Sequence, residues 1–187
     1  MIQKKVVITG APCTGKTVII KGLEAMGYQC FQEIIRAMTA KLKVEGTSKK
    51  QVSNPLAIVE DPFNFNQLLL NGRLKQFKDS QKLAIPVSFF DRGIPDVLAY
   101  MDYFKQAYDE DYKDVCKKNR YDKIFILPPW EEIYVTDNER LETFNEAKEL
   151  HKHLLKSYKE FGYAPISVPK TTIAKRISFI LKELKLV

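Results

Sequence analysis

Residues 6–20 read VVITGAPCTGKTVII. An apolar run stops at Gly10, the chain turns, and a second apolar run starts at Val18. The turn itself, Gly10-Ala11-Pro12-Cys13-Thr14-Gly15-Lys16-Thr17, has the GxxxxGK[ST] spacing of a P-loop. Glycines at both ends let backbone N–H groups converge on a phosphate without Cβ clashes. The N-terminus of the helix that follows adds free donors and a positive dipole. Lys16 is expected to reach the β- and γ-phosphates of a nucleotide, and the Thr17 hydroxyl to ligate magnesium. The competing reading is a glycine-rich turn that binds nothing; against it, the loop has the strand before it, the helix after it and the N-terminal position that a P-loop requires.

Outward from this loop the segments alternate. Strands are predicted at 4–10, 28–33, 85–93, 121–130 and 164–169, the fourth stopped by Pro128-Pro129. Helices are predicted at 15–26, with Ile19, Ile20, Leu23 and Met26 on one side, and at 34–46. Another is predicted from Pro62 to about Ser80, with Phe65, Leu68, Leu69 and Phe77 apolar. Pro95 opens the next, a short polar helix fills 110–119, and a long amphipathic helix runs over about 137–160. Thr136 and Glu139 have capping-box spacing at the start of that long helix. A closing helix contains ISFILKEL, and 47–60 reads as a loop. Short apolar strands separated by helices mean a parallel sheet with helices on both faces, an α/β fold. No repeat or linker divides the 187 residues, so one domain over 1–187 is expected.

Composition narrows the function classes. The chain is 45% hydrophobic and 28% charged, enough for a substantial core, and no apolar run reaches the length of a membrane span. The N-terminus lacks the apolar core and cleavage site of a signal peptide, which predicts a cytoplasmic protein. Cys13, Cys30 and Cys116 are far apart and form neither a zinc pattern nor a disulfide framework. Cys13, inside the loop, reads as a redox-sensitive gate or as a small tolerated residue. The net charge of +7 comes from 24 Lys and 6 Arg scattered along the chain. Dispersed lysine is the pattern of a solvated surface more than of a nucleic-acid stripe.

In open parallel sheets, ligands collect at the carboxyl ends of the strands. The second strand ends in Glu33, with Arg36 one helical turn later. A carboxylate there can take a proton from a hydroxyl, and an arginine can hold an anionic substrate. The alternative is an ordinary surface pair, and it stays open. The third strand ends in Asp91-Arg92-Gly93 after apolar Val87, Phe89 and Phe90. Asp91 is expected to face magnesium or its water shell, and Arg92 the same phosphates. The alternative is that Asp91 caps the helix at Pro95, while Asp96 complements that helix's dipole. Arg140 reads either as a charge on a closing flap or as an exposed helix arginine. Arg73 is a further candidate for the substrate side. His151 and His153 are two apart on a helix and read as solvated, and Pro128–Glu132 as a structural stop with a half-buried Trp130.

The segments TGAPCTGKT, QEIIRAM, FFDRGIPDVLAY, FILPPWEEIYVTDNERLETFNEA and ISVPK together resemble the NadR-like P-loop ATPase and kinase family. That group is similar to nucleoside and nucleoside-monophosphate kinases. The resemblance runs across nearly the whole chain. It implies a three-layer α/β/α sandwich with strand order 2-3-1-4-5, an acceptor pocket between the second and third strand ends, and a lid at about 134–145. The family's acid after the second strand falls on Glu33, its Asp-Arg pair on Asp91 and Arg92, and its lid arginine on Arg140. A second lid arginine is missing, because Leu141 follows Arg140.

Three activities fit this reading. A small-molecule kinase would use ATP or GTP with Mg²⁺ to phosphorylate a nucleoside- or nucleotide-like hydroxyl. A regulatory NTPase would share the loop and Asp91 but answer to a protein partner and need no acceptor site. A kinase acting on nucleic acid would exploit the positive charge, with binding that falls steeply with salt.

Overall fold

The computed structural model describes residues 3–35, 62–134 and 143–187. Its centre is a five-stranded sheet of order β2-β3-β1-β4-β5, parallel at every pairing. The strands are β1 (Lys4–Gly10), β2 (Gln29–Phe31), β3 (Val87–Asp91), β4 (Lys123–Leu127) and β5 (Ile166–Ser167). The helices are α1 (Lys16–Ala25), α2 (Pro62–Ser80), α3 (Pro95–Tyr103), α4 (Glu110–Lys118), α5 (Phe144–Glu160) and α6 (Ile173–Glu183). This is the expected three-layer sandwich with the expected strand order.

Period-two alternation along the strands sorts the core into two faces. Val6, Ile8, Phe89, Phe125 and Leu127 pack with Ile19, Ile20 and Leu23 of α1 and Ile177, Ile180 and Leu181 of α6. Val7, Phe90 and Ile124 point the other way and meet residues of α2, α3, α4 and α5. Each large apolar side chain so buried contributes about 1.5–3 kcal/mol, and β1 is central because it buries both of its faces. Register then sets the functional edge: Ile8 lies beside Asp91, Gly10 beside Leu127, and Phe31 beside Phe90. The loop after β1 and the ends of β2 and β3 therefore share one edge of the sheet.

Several boundaries differ from those expected. The second strand is only Gln29–Phe31 and the fifth only Ile166–Ser167. Met26 falls just past the end of α1 and is 54% exposed, and Leu68 is 50% exposed. Helical spacing placed both on apolar faces, yet both side chains stand at the surface. The long helix starts at Phe144, with its capping box at Thr143 and Glu146. Thr143 accepts from the Glu146 backbone, and Glu146 accepts in return from the Thr143 backbone. Thr136, Glu139, most of the predicted helix at 34–46, the loop 47–60 and most of the lid at 134–145 lie outside the described residues. His151 and His153 are half-buried rather than solvated, and His153 packs edge-on against the Tyr103 ring. No group of three or more His, Cys, Asp or Glu among the described residues is arranged to hold a metal by itself. Nor is any described helix long and apolar enough to cross a membrane.

Candidate active site

The loop Gly10–Thr17 wraps the N-terminus of α1. Gly10 has φ 152°, and a Cβ there would lie 2.7 Å from the Leu127 carbonyl oxygen and 2.9 Å from Thr14 Oγ1. Only glycine lets the loop leave β1 this close to β4. Ala11, Pro12 and Thr14 are buried, and Thr14 Oγ1 donates to the Ala11 carbonyl at 2.9 Å. Cys13 is half-exposed with φ 61°. Gly15 occupies the N-cap of α1, and no side chain caps that terminus. A helix N-terminus of this kind suits an anion, because its backbone N–H groups and its dipole point into the loop.

Lys16 is 7% exposed, and its ammonium donates to the Gly10 carbonyl at 2.9 Å and the Ala11 carbonyl at 3.1 Å. Arg92 Nη1 reaches the same Gly10 carbonyl at 3.3 Å. Two cations thus converge on one neutral acceptor. Burial, reinforced by Arg92, pulls the Lys16 pKa down to about 8. Buried, converging positive charge of this kind favours an incoming anion.

Arg92 continues from the end of β3 with φ 72°, a left-handed conformation that costs a non-glycine residue about 1–2 kcal/mol. Its neighbours hold it there. Arg92 N donates to the Ile8 carbonyl at 3.0 Å, Nε to Glu33 Oε1 at 2.6 Å, and the guanidinium lies 5.0 Å over the Tyr100 ring. Glu33 is delivered to this position by Phe31, whose ring stacks on Phe90 at 4.8 Å. Burial opposes the Glu33 charge, but Arg92, Lys16 and Arg73 outweigh it and bring its pKa down to about 2. Asp91 goes the opposite way. Burial and the nearby Glu33 raise its pKa to about 6, and its buried Oδ1 has no hydrogen-bond partner.

That orphaned carboxylate oxygen is the test of a metal site, because buried polar atoms without partners are rare. A hard divalent cation held by phosphate oxygens needs few protein ligands. Asp91, with the Thr17 hydroxyl in the first turn of α1, makes a donor set of the right chemistry. Asp91 does not cap α3, whose first residue is Pro95.

The structure therefore brings Gly10–Thr17, Glu33, Asp91 and Arg92 to one place. Arg73 is also there but is turned inward. It is 3% exposed and donates from Nη1 to the Gly93 carbonyl at 3.1 Å, which makes it a brace behind the Arg92–Gly93 turn rather than an arm in an open pocket. Arg36 and Arg140 lie outside the described residues.

Sequence reasoning missed Arg176 and gave Asp96 only a role in its own helix. Arg176, from α6, is 2% exposed and donates to the Thr14 carbonyl at 2.8 Å, bracing the loop from outside, with its guanidinium 5.9 Å from the half-buried Trp130 ring. Asp96 is fully buried, and one oxygen accepts from Gly93 N at 2.8 Å. The signal for Asp96 was its spacing, an acid three residues after the amide that it accepts from, which is the geometry of a capping-box acid.

Comparison with known proteins agrees with this geometry. The profile of an AAA domain family matches residues 5–176. No curated protein matches the chain. Among solved structures, deoxyadenosine kinase from M. mycoides with products dCMP and dCDP superposes with a TM-score of 0.64 at 17% identity, covering 98% of this chain and 100% of that one. NadR in complex with NR gives 0.70 at 15% identity, covering 97% of this chain and 50% of that one, so the chain spans about half of NadR. Thymidylate kinase from Ehrlichia chaffeensis gives 0.61 at 14% identity, covering 97% and 98%. The chain belongs to the AAA domain family, and it shares the fold of NadR and of the nucleoside and nucleotide kinases.

Proposed function

We propose that the protein is a magnesium-dependent kinase that transfers the γ-phosphate of ATP or GTP to a hydroxyl of a small nucleoside- or nucleotide-like acceptor. The observation that carries this reading is the meeting of Lys16 and Arg92 at the Gly10 carbonyl, with Glu33 and Asp91 beside them. The kinases of like fold add support, since their structures hold nucleotides.

In this reading the amides of Gly10–Thr17 and the Lys16 ammonium cradle the donor phosphates. Thr17 and Asp91 would hold the magnesium ion, which supplies charge neutralisation across the phosphates. Arg92 faces the transferring phosphoryl group, and Arg140 would reach it from the lid. Arg36 would hold an anionic part of the acceptor. The acceptor oxygen bonds to the γ-phosphorus, the bond to the β–γ bridging oxygen breaks, and the nucleoside diphosphate leaves. The hydroxyl proton passes to Glu33. With its pKa near 2, Glu33 is a weak base at rest, so it orients the hydroxyl first and takes the proton late. A loose transition state tolerates this, because catalysis then rests on positioning and charge.

Nucleoside diphosphate formation from ATP and GTP, with and without nucleosides, nucleoside monophosphates and pyridine nucleosides, tests the proposal. Strong stimulation by one acceptor, lost in Glu33→Gln and in Lys16→Ala, is the expected result. The Glu33–Arg92 pair also suits a regulatory NTPase, in which Glu33 serves Arg92 alone. Slow acceptor-independent hydrolysis that survives Glu33→Gln would decide for that second reading.

A further inference from the structure

We propose that Asp96 is a positioning residue that fixes the Arg92–Gly93 turn and ties it, through Tyr158, to helix α5. Asp96 is 0% exposed, and both of its oxygens are committed. Oδ1 accepts from Thr9 Oγ1 at 2.5 Å and lies 3.5 Å from Arg92 Nη1. Oδ2 accepts from Gly93 N at 2.8 Å and from Tyr158 Oη at 2.5 Å. A carboxylate placed only to complement a helix dipole would sit in water, where it costs nothing to charge. Four partners around a buried carboxylate are a structural commitment, and they come from three places. Thr9 is the residue before the phosphate loop, Arg92 and Gly93 form the turn itself, and Tyr158 belongs to α5.

The turn needs this support. Arg92 holds a left-handed φ of 72°, which is kept only while the groups on either side are fixed. Asp96 holds the Gly93 amide and Arg73 the Gly93 carbonyl, while Tyr121 Oη accepts from Ile94 N at 3.3 Å. Tyr158 fits so closely that a Cβ on Gly93 would lie 2.6 Å from its hydroxyl. One residue earlier, Ser157 Oγ donates to the Pro95 carbonyl at 2.9 Å, so α5 grips the start of α3 at two successive positions. Helix α5 therefore cannot shift at this point without loosening the turn that aims Arg92. An asparagine at 96 keeps the shape but offers one acceptor oxygen where two are used.

The kinetic part of this proposal rests on the kinase reading, whereas the geometric part does not, so the test has two arms. The first observes the Arg92 Nε–H resonance in ¹⁵N-labelled protein, assigned by its loss in Arg92→Lys. Tyr158→Phe and Asp96→Asn are each expected to speed its solvent exchange at least tenfold. The second arm measures turnover in a double-mutant cycle. Tyr158→Phe is expected to lower kcat three- to tenfold with the nucleotide KM within twofold, and to have no further effect in the Arg92→Lys background. An unchanged Arg92 exchange rate in Tyr158→Phe, or effects on kcat that multiply independently of Arg92, would overturn the proposal. If Asp96→Asn does not fold, Tyr158→Phe, which keeps its ring in place, decides alone. If no acceptor supports turnover, the kinase reading fails and the resonance still decides.

Discussion

The two ends of the sheet use charge in opposite ways. At the carboxyl ends of the strands, Arg92, Lys16, Arg73 and Asp96 are each 7% exposed or less; Lys16 is held by its own loop, whereas Arg92, Arg73 and Asp96 take partners from other elements. At the amino ends, Tyr108, Lys113, Lys117, Arg120, Glu160 and Phe161 line a cleft of about 440 Å³. There Lys113 and Lys117 pair with Glu110 at 2.9 Å each, on their own helix, and remain 43% and 54% exposed. Charges in water that find partners within a turn or two need no fold to bring them together, and they add little stability. Buried charges collected from separate elements are costly, so the fold must fix them rigidly, and rigid positioning is what phosphoryl transfer demands. In the second cleft, Lys113 and Lys117 stay in water and share one acid of their own helix.

This contrast is broken most directly at Arg92. Arg92→Ala leaves the largely buried Glu33 carboxylate, whose side chain is 14% exposed, without its ion-pair partner and is expected to cost about 3–5 kcal/mol in urea unfolding. Arg92→Met with Glu33→Leu should recover most of that stability while turnover stays lost, separating fold from function. Next in size, Lys16→Ala is expected to lower turnover about 10²–10³-fold with no loss of folding, judged by nucleoside diphosphate release and circular dichroism. A smaller effect comes from pH. In the free protein the Lys16 pKa lies near 8, and bound phosphate raises it. Nucleotide binding above that pH therefore takes up a proton, and affinity should fall by up to tenfold per pH unit from pH 8 to 10 in calorimetric titrations. A flat profile would show that Lys16 stays protonated in the free protein. The smallest effect belongs to the opposite edge: Lys117→Ala should leave both Tm and turnover within measurement scatter. A clear loss of turnover in that variant would mean the cleft communicates with the site and would erase the contrast.

How legible each part was in the sequence depended on range. Residues 10–17 were legible because the phosphate loop is local chemistry, with a strand, a turn and a helix start in one short stretch. Asp91 was legible because an acid ending a buried apolar strand has few other reasons to be there. Glu33 and Arg92 were both expected beside the phosphate loop, but their mutual ion pair was not, since they stand 59 residues apart. Arg73 was taken for a substrate arm because its burial is a property of how α2 packs on the sheet. Asp96 was assigned to its own helix, because nothing near it in sequence announces Thr9, 87 residues before it, or Tyr158, 62 residues after. Met26 and Leu68 followed the helical period faithfully and still came out exposed, since periodicity gives a face but not the extent of what covers it.

The sequence alone determined the phosphate loop, the alternation of strands and helices, and hence a parallel α/β sandwich, because each of these is written in contacts between near neighbours in the chain. Only the tertiary structure decided which acid is locked to Arg92 and which keeps an orphaned oxygen, that Lys16 and Arg92 share one carbonyl, and that a buried aspartate joins the phosphate loop, the Arg92 turn and helix α5. These arrangements depend on parallel strand register and on helices packed from distant parts of the chain. Burial and long-range partners, which set the charge state of each group, exist only once the sheet has formed.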